Sequence, residues 1–152
     1  MKTLFHSITL VFCLGLTVLQ PATHALEAGA AKADLVPPFP TKMAGYFDRH
    51  DTFTGVATPL YARALVCAND EMTLGMVVVD LCFVTRELTD LARAEIEKQT
   101  GIPGEHVVIS ATHTHSGPSG FAGMEYWGSE ADPRLTEFLV TQIAQSVSQA
   151  HA

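Results

Sequence analysis

The segment from Leu74 to Ala111 restricts the possible folds more than any other part of the sequence. Leu74 to Cys82 is an almost continuously apolar run, and His106 to Ala111 is a second one. Between them, Thr85 to Gln99 repeats apolar residues at helical spacing, with charged residues on the opposite face. A strand, a helix and a strand in this order form a crossover that joins two parallel strands. The sequence therefore predicts an α/β fold.

Flanking segments extend this unit to a mixed sheet flanked by helices. Tyr61 to Cys67 predicts a strand that pairs with the run from Leu74 through a polar turn near Asn69-Asp70. Gly29 to Asp34 starts the fold, and Asp132-Pro133 is typical of the start of a final helix. Because the run from Leu74 is so apolar, we expect both faces of that strand to be covered. About three strands and two helices are few for a free-standing layered domain, so we expect an incomplete portion of a larger one.

The first 25 residues predict a secretory signal peptide. Lys2 gives a positive start, Leu4 to Leu19 is mostly apolar, and Thr23-His24-Ala25 offers a small residue at the cleavage position. The apolar stretch is shorter than the roughly 20 residues that a membrane-spanning helix needs. We therefore expect a mature chain of residues 26–152 that is secreted or periplasmic.

The charge balance argues against a nucleic-acid partner. The sequence has 16 acidic and 9 basic residues, and its formal net charge at pH 7 is −7. The predicted signal peptide removes only Lys2 from this balance. An acidic surface without a basic stripe repels phosphate backbones, so we expect no binding to nucleic acid.

Cys67 and Cys82 remain in the predicted mature chain, where export would permit a disulfide. In the predicted hairpin, Cys67 faces a residue near Thr73. The two thiols would then lie about nine residues apart along the ladder, or roughly 30 Å at about 3.3 Å per residue. That distance excludes a disulfide, and we interpret both as buried apolar thiols.

His113 and His115 follow the strand from His106 to Ala111 directly. If the chain stays extended there, residues two apart point to the same side. The two imidazoles would then converge at the carboxyl end of a parallel strand, where ligands bind in open α/β sheets. A catalytic zinc site uses neutral imidazole nitrogens at about 2.0–2.1 Å and keeps a position for water. On spacing alone, two loop histidines that only form hydrogen bonds remain the alternative.

Further segments resemble, in order and spacing, the N-terminal part of the neutral/alkaline (non-lysosomal) ceramidase family. The most specific is the run Thr112-His113-Thr114-His115-Ser116-Gly117-Pro118. The others are Ala30 to Leu35, Met43 to Tyr46, Gly55-Val56, Leu60 to Leu65 and Val79 to Leu81. The resemblance spans about Gly29 to Ala150. It implies that residues 26–152 are the N-terminal part of a ceramidase-like catalytic domain.

The resemblance also implies a zinc ion held by two histidines, a glutamate and a tyrosine. The first histidine of the run corresponds to His113, a metal ligand, and the second to His115, a catalytic residue beside the metal and the substrate. The other ligands come from beyond position 152. The implied reaction is hydrolysis of the amide of ceramide to sphingosine and a fatty acid. We accordingly expect a lipid amide substrate and transient contact with a membrane surface.

Alternatives remain at several positions. His115 could instead only orient His113. The chain could belong to a metal-dependent amidase or esterase with another substrate, or be a non-catalytic truncated fragment. Asp80 could cap the turn that follows it, or it could orient a histidine or a loop. Four residues after the histidines could line an acyl-chain groove or cover the sheet: Phe121, Met124, Tyr126 and Trp127.

One position departs from the family's pattern. The loop usually continues Gly-Pro-Gly-Gly, whereas this chain has Ser119 before Gly120. We expect the serine to be tolerated only if its backbone avoids positive φ.

Overall fold

The computed structural model describes residues 25–127 and 130–152, and the predicted signal peptide lies outside them except for its last residue. A four-stranded sheet has the order β1-β3-β4-β5, and β2 pairs with β6 in a separate two-stranded ladder. The elements are β1 (Glu27–Asp34), β2 (Lys42–Met43), β3 (Tyr61–Ala68), β4 (Thr73–Val79), α1 (Arg86–Thr100), β5 (Val107–Ala111), β6 (Pro118–Ser119) and α2 (Pro133–His151), with short 3-10 helices at Gly104–His106 and Met124–Trp127. The predicted α/β fold, a mixed sheet flanked by helices, is confirmed.

The predicted crossover joins β4 to β5 through α1. These two strands are parallel, with Val77 opposite Ile109, whereas β3 is antiparallel to both β1 and β4. Strand β4 ends at Val79, three residues earlier than the apolar run predicts. Leu81 and Cys82 are still buried, so the end of that run belongs to the core without continuing the ladder.

Both helices begin and end where local chemistry favours it. Thr85 has extended backbone angles, and its side chain accepts a hydrogen bond from the Leu88 amide at 3.1 Å. Gly101 ends α1 in the left-handed conformation, which glycine adopts without steric cost. Asp132 caps α2 by accepting from the Arg134 amide at 2.9 Å, as the Asp-Pro pair predicts. The predicted helix starts are therefore confirmed.

The core lies between the helices and one face of the sheet. Leu88 and Ile96 of α1 and Leu139 and Ile143 of α2 are fully buried. Helix α2 also packs closely against β1. The distance is so short that an added Cβ at Gly29 would overlap the carbonyl oxygen of Ala150. A glycine is therefore required for this contact between the helix and the first strand.

The opposite face of the sheet is exposed, so the prediction that β4 is covered on both faces is wrong for the described residues. Side chains along β4 alternate between buried and exposed because α1 and α2 both pack on one side. The large apolar side chains of the exposed face are between 40% and 60% exposed: Leu65, Leu74, Met76, Val78 and Val108. Leu65, Met76 and Val108 are in register across three strands and form the centre of an apolar surface.

The two thiols are free, as predicted. Cys67 pairs with Leu74 across the hairpin, one residue away from the predicted partner. Cys82 is buried, but Cys67 lies half-buried on the exposed face of the sheet, so the prediction of two buried thiols is wrong for Cys67.

Neither helix in the described part of the chain is both long and apolar enough to cross a membrane.

Candidate metal centre

The histidine loop lies at the carboxyl ends of β4 and β5. Two backbone hydrogen bonds join the segments that leave these strands, from the Thr112 amide to the Val79 carbonyl at 3.0 Å and from Thr114 to Leu81 at 3.2 Å. Because the strands are parallel, both segments leave at the same edge of the sheet. The sequence-based placement of the two histidines at this edge agrees with the structure.

The chain does not stay extended through the histidines, so the condition for their convergence by strand geometry is not met. His113 has φ 62°, in the left-handed region that non-glycine residues rarely adopt. Such a conformation costs on the order of 1–3 kcal/mol and persists only where the surroundings fix it. The two imidazoles still converge, with 3.4 Å between the Nε2 atoms and an interplanar angle of 80°.

A backbone carbonyl orients the His113 ring. Its Nδ1 lies 2.7 Å from the carbonyl oxygen of Cys82. Because a carbonyl can only accept, Nδ1 carries the hydrogen, so in the neutral ring the lone pair lies on Nε2. Metal-ligating histidines are usually fixed in this way. The contact therefore presents Nε2 of His113 toward His115.

Cys82, His113 and His115 form a group whose ligand atoms lie within 4.8 Å of one another. Imidazole and thiol are also donors that suit zinc. The residues present therefore fit a zinc ion.

The sequence predicts only a packing role for Cys82, whereas the structure also places it beside the two histidines. Its Sγ lies 3.8 Å from Nδ1 of His113, and burial raises the pKa of the thiol. The signal that could have found it is the parallel pairing of β4 with β5. That pairing brings the residues just after Val79 next to those just after Ala111.

The loop before β3 supports His115 from the other side. The ring of Tyr46 contacts the His115 ring edge to face, with centroids 5.0 Å apart and an interplanar angle of 82°. Arg49 donates from Nη1 to the carbonyl oxygens of His115 at 2.6 Å and Ala44 at 3.2 Å. Sequence reasoning did not select either residue as part of the site. The matching Met43-to-Tyr46 segment was the available signal for Tyr46.

A cavity of about 370 Å³ opens beside the two histidines. Met124 lines this cavity and, like Phe121, is buried in the core. Met124 therefore fits both interpretations, the groove and the cover over the sheet, and Phe121 fits the cover. The side chains of Tyr126 and Trp127 lie outside the description.

Of its predicted roles, Asp80 has the orienting one, toward the end of the loop that enters β3 and not toward a histidine. Its Oδ2 accepts from the Tyr61 amide at 2.9 Å and from Nη1 of Arg63 at 2.7 Å. It therefore ties the end of β4 to the start of β3.

Ser119 pairs with Lys42 and avoids positive φ, whereas Gly120 has φ 92°. The condition for tolerating the serine is met.

The model of the neutral/alkaline non-lysosomal ceramidase N-terminal region matches residues 26–152. The chain belongs to this family. It is also similar to a solved ceramidase complexed with C2, at 27% identity and a TM-score of 0.72. A neutral ceramidase from Pseudomonas aeruginosa matches at 26% identity and a TM-score of 0.71. Each match covers 84% of this chain and 21% of the solved one, so the chain spans about one fifth of those ceramidases.

Gly45 provides a stability test of the supporting loop. It has φ 111°, and an added Cβ would lie 2.5 Å from Cγ of His115. We expect Gly45→Ala to lower the free energy of unfolding by more than about 1 kcal/mol, measured by chemical denaturation. Gly55→Ala is the control, because no atom lies within 4 Å of its added Cβ. That variant should be neutral or stabilising by up to about 1 kcal/mol. Equal stabilities for the two variants would contradict the described loop geometry.

Proposed function

We propose that this chain is the N-terminal part of a zinc-dependent ceramidase, which hydrolyses the amide of ceramide to sphingosine and a fatty acid. The observation that carries the proposal is the convergence of His113 and His115 in a member of this family, where the Cys82 carbonyl holds Nδ1 of His113 and directs its Nε2 toward His115. The chain spans about one fifth of the solved ceramidases that it matches. The activity is therefore proposed for the whole polypeptide.

His113 would hold the zinc ion through Nε2, and the family resemblance implies that the remaining ligands lie later in the polypeptide. When bound, zinc supplies a Lewis acid that polarises the amide carbonyl and lowers the pKa of water. The contribution of this chain is to fix the tautomer and direction of one ligand. It does so through the 2.7 Å contact between Nδ1 of His113 and the Cys82 carbonyl.

His115 is the proposed catalytic residue. Its ring borders the cavity, and its Nε2 lies 3.4 Å from that of His113. From this position Nε2 would donate a hydrogen bond to the oxyanion that develops as water adds to the amide carbon. Alternatively, Nε2 would accept the proton that water loses on adding to the amide carbon and pass it to the nitrogen as the carbon–nitrogen bond breaks. The alternative, that His115 only orients His113, predicts a smaller loss of activity on its removal.

Single substitutions separate the two roles in the full-length, zinc-loaded enzyme. We expect His113→Ala to lose zinc, measured by elemental analysis of the purified protein. We expect His115→Ala to retain zinc and to release fatty acid from labelled ceramide about 10²- to 10⁴-fold more slowly. Unchanged zinc in His113→Ala would rule out His113 as a ligand. Loss of zinc from His115→Ala would make His115 a ligand as well.

The same assay decides between the functional alternatives. Absence of ceramide hydrolysis by the unmodified enzyme, with activity on simpler amides or esters, would favour a hydrolase with another substrate. Absence of all hydrolysis by the zinc-loaded protein would favour a non-catalytic protein.

We propose that the rim of the cavity contacts the membrane that presents the substrate. Phe47 lines this cavity and is 97% exposed. An exposed aromatic ring at the mouth of a lipid-hydrolysing site gains free energy by entering the interfacial region of a bilayer. The rim would thereby bring the histidines to the level of the lipid head groups.

Phe47→Ser tests this contact. We expect it to raise KM for ceramide in vesicles several-fold, because an apolar anchor is lost. Its KM for a short-chain, water-soluble ceramide should change little. Leu91→Ser, which alters an exposed apolar side chain of α1, is the control. A Phe47→Ser effect of equal size on both substrates would argue against membrane contact.

We also propose that the protein is exported, on the basis of its first 25 residues. Cleavage after Ala25 predicts that the protein isolated from its host begins at Leu26, one residue before β1. Mass spectrometry of the N-terminal peptide checks this. A retained Met1 terminus would contradict it.

A further inference from the structure

We infer that Tyr46 and Arg49 are positioning residues for His115, an inference that rests on the proposed function. The two histidines are held differently. His113 has a hydrogen-bond partner at Nδ1, the Cys82 carbonyl. Within the described ranges, no residue forms a hydrogen bond with Nδ1 of His115. Its ring is held by packing against the rings of Tyr46 and His113.

Tyr46 provides one side of this packing. Its ring meets the His115 ring edge to face, with 5.0 Å between the two centroids. The guanidinium carbon of Arg49 lies over the Tyr46 ring, 4.7 Å from its centroid. Tyr46 is 56% exposed, so general burial does not fix it. The guanidinium of Arg49 therefore limits the orientations of the ring that supports His115.

Arg49 also holds the backbone of the catalytic loop. Its Nη1 donates to the carbonyl oxygens of His115 at 2.6 Å and Ala44 at 3.2 Å, which links loops that are 66 residues apart in sequence. A 3.0 Å hydrogen bond from the Ala44 amide to the Gly117 carbonyl and the β2–β6 ladder join the same loops. One charged side chain thus restrains both the backbone of His115 and, through Tyr46, its ring.

The consequence is a separation of metal retention from catalysis. The orienting partner of His113 lies just after β4, whereas the supports of His115 lie in the loop before β3. Loss of Arg49 or Tyr46 should therefore displace His115 and leave the zinc ligand in place. A displacement of about 1 Å at a catalytic group can slow a reaction on the order of 10²-fold.

The test uses the full-length, zinc-loaded enzyme with ceramide as substrate. We expect Arg49→Met and Tyr46→Leu to lower kcat by about 10- to 100-fold, with little change in KM, zinc content or melting temperature. Tyr46→Phe should retain activity because the ring contact survives, and Arg49→Lys should recover part of it. Arg134→Met is the control, because Arg134 likewise pairs with acceptor oxygens and lies over a ring, that of Phe39, on another part of the fold.

A second measurement does not depend on activity. In protein labelled with ¹³C at histidine Cε1, the His115 signal should shift or broaden in Arg49→Met and Tyr46→Leu, and not in Arg134→Met. If ceramide is not hydrolysed but the signal moves, the proposed function fails and the positioning role stands. If the enzyme is active and neither kcat nor the signal changes, the positioning role is wrong. A loss of zinc, or a fall in melting temperature, that parallels the fall in kcat would also overturn the positioning role, because the residues would then be structural.

Discussion

The parallel pairing of β4 with β5 is the constraint on which the site depends. It places the segment after Val79 beside the segment after Ala111, and two backbone hydrogen bonds hold these segments together. The Cys82 carbonyl thereby reaches Nδ1 of His113 across 31 positions of sequence. A different register would separate the carbonyl from the imidazole, because a shift by one residue turns each side chain to the other face. The fold and the geometry around the two histidines therefore share one cause.

The sequence predicted the features that have a local or periodic signal. The apolar runs and the helical spacing between them indicated the crossover, and Asp132 before a proline indicated the start of α2. The carbonyl contact of Cys82 had no local signal of its own, and only the predicted parallel pairing of β4 with β5 pointed to its position beside the histidines. The contact of Arg49 with His115 was also inaccessible, since it joins two irregular loops far apart along the chain. Periodic patterns in the sequence predict helices and strands. The conformation of a loop depends instead on contacts between residues that are distant in sequence.

Two residues with positive φ lie next to His115. His113 has φ 62°, and Gly45, where an added Cβ would approach Cγ of His115, has φ 111°. The first costs free energy because histidine carries a Cβ, and the second is accessible because glycine does not. Neighbouring hydrogen bonds from Arg49 and from Thr114 hold both loops in place. Local rules are commonly broken at functional sites, where surrounding contacts offset the cost.

The exposed sheet face has a consequence for how the protein is made. Leu65, Met76 and Val108 lie in register at the centre of an apolar surface that forms once the sheet and its two helices are in place. Surfaces of this kind promote self-association in partly folded chains. During synthesis, this segment should therefore be a target for holdase chaperones. Its expression in isolation should favour inclusion bodies over dispersed protein.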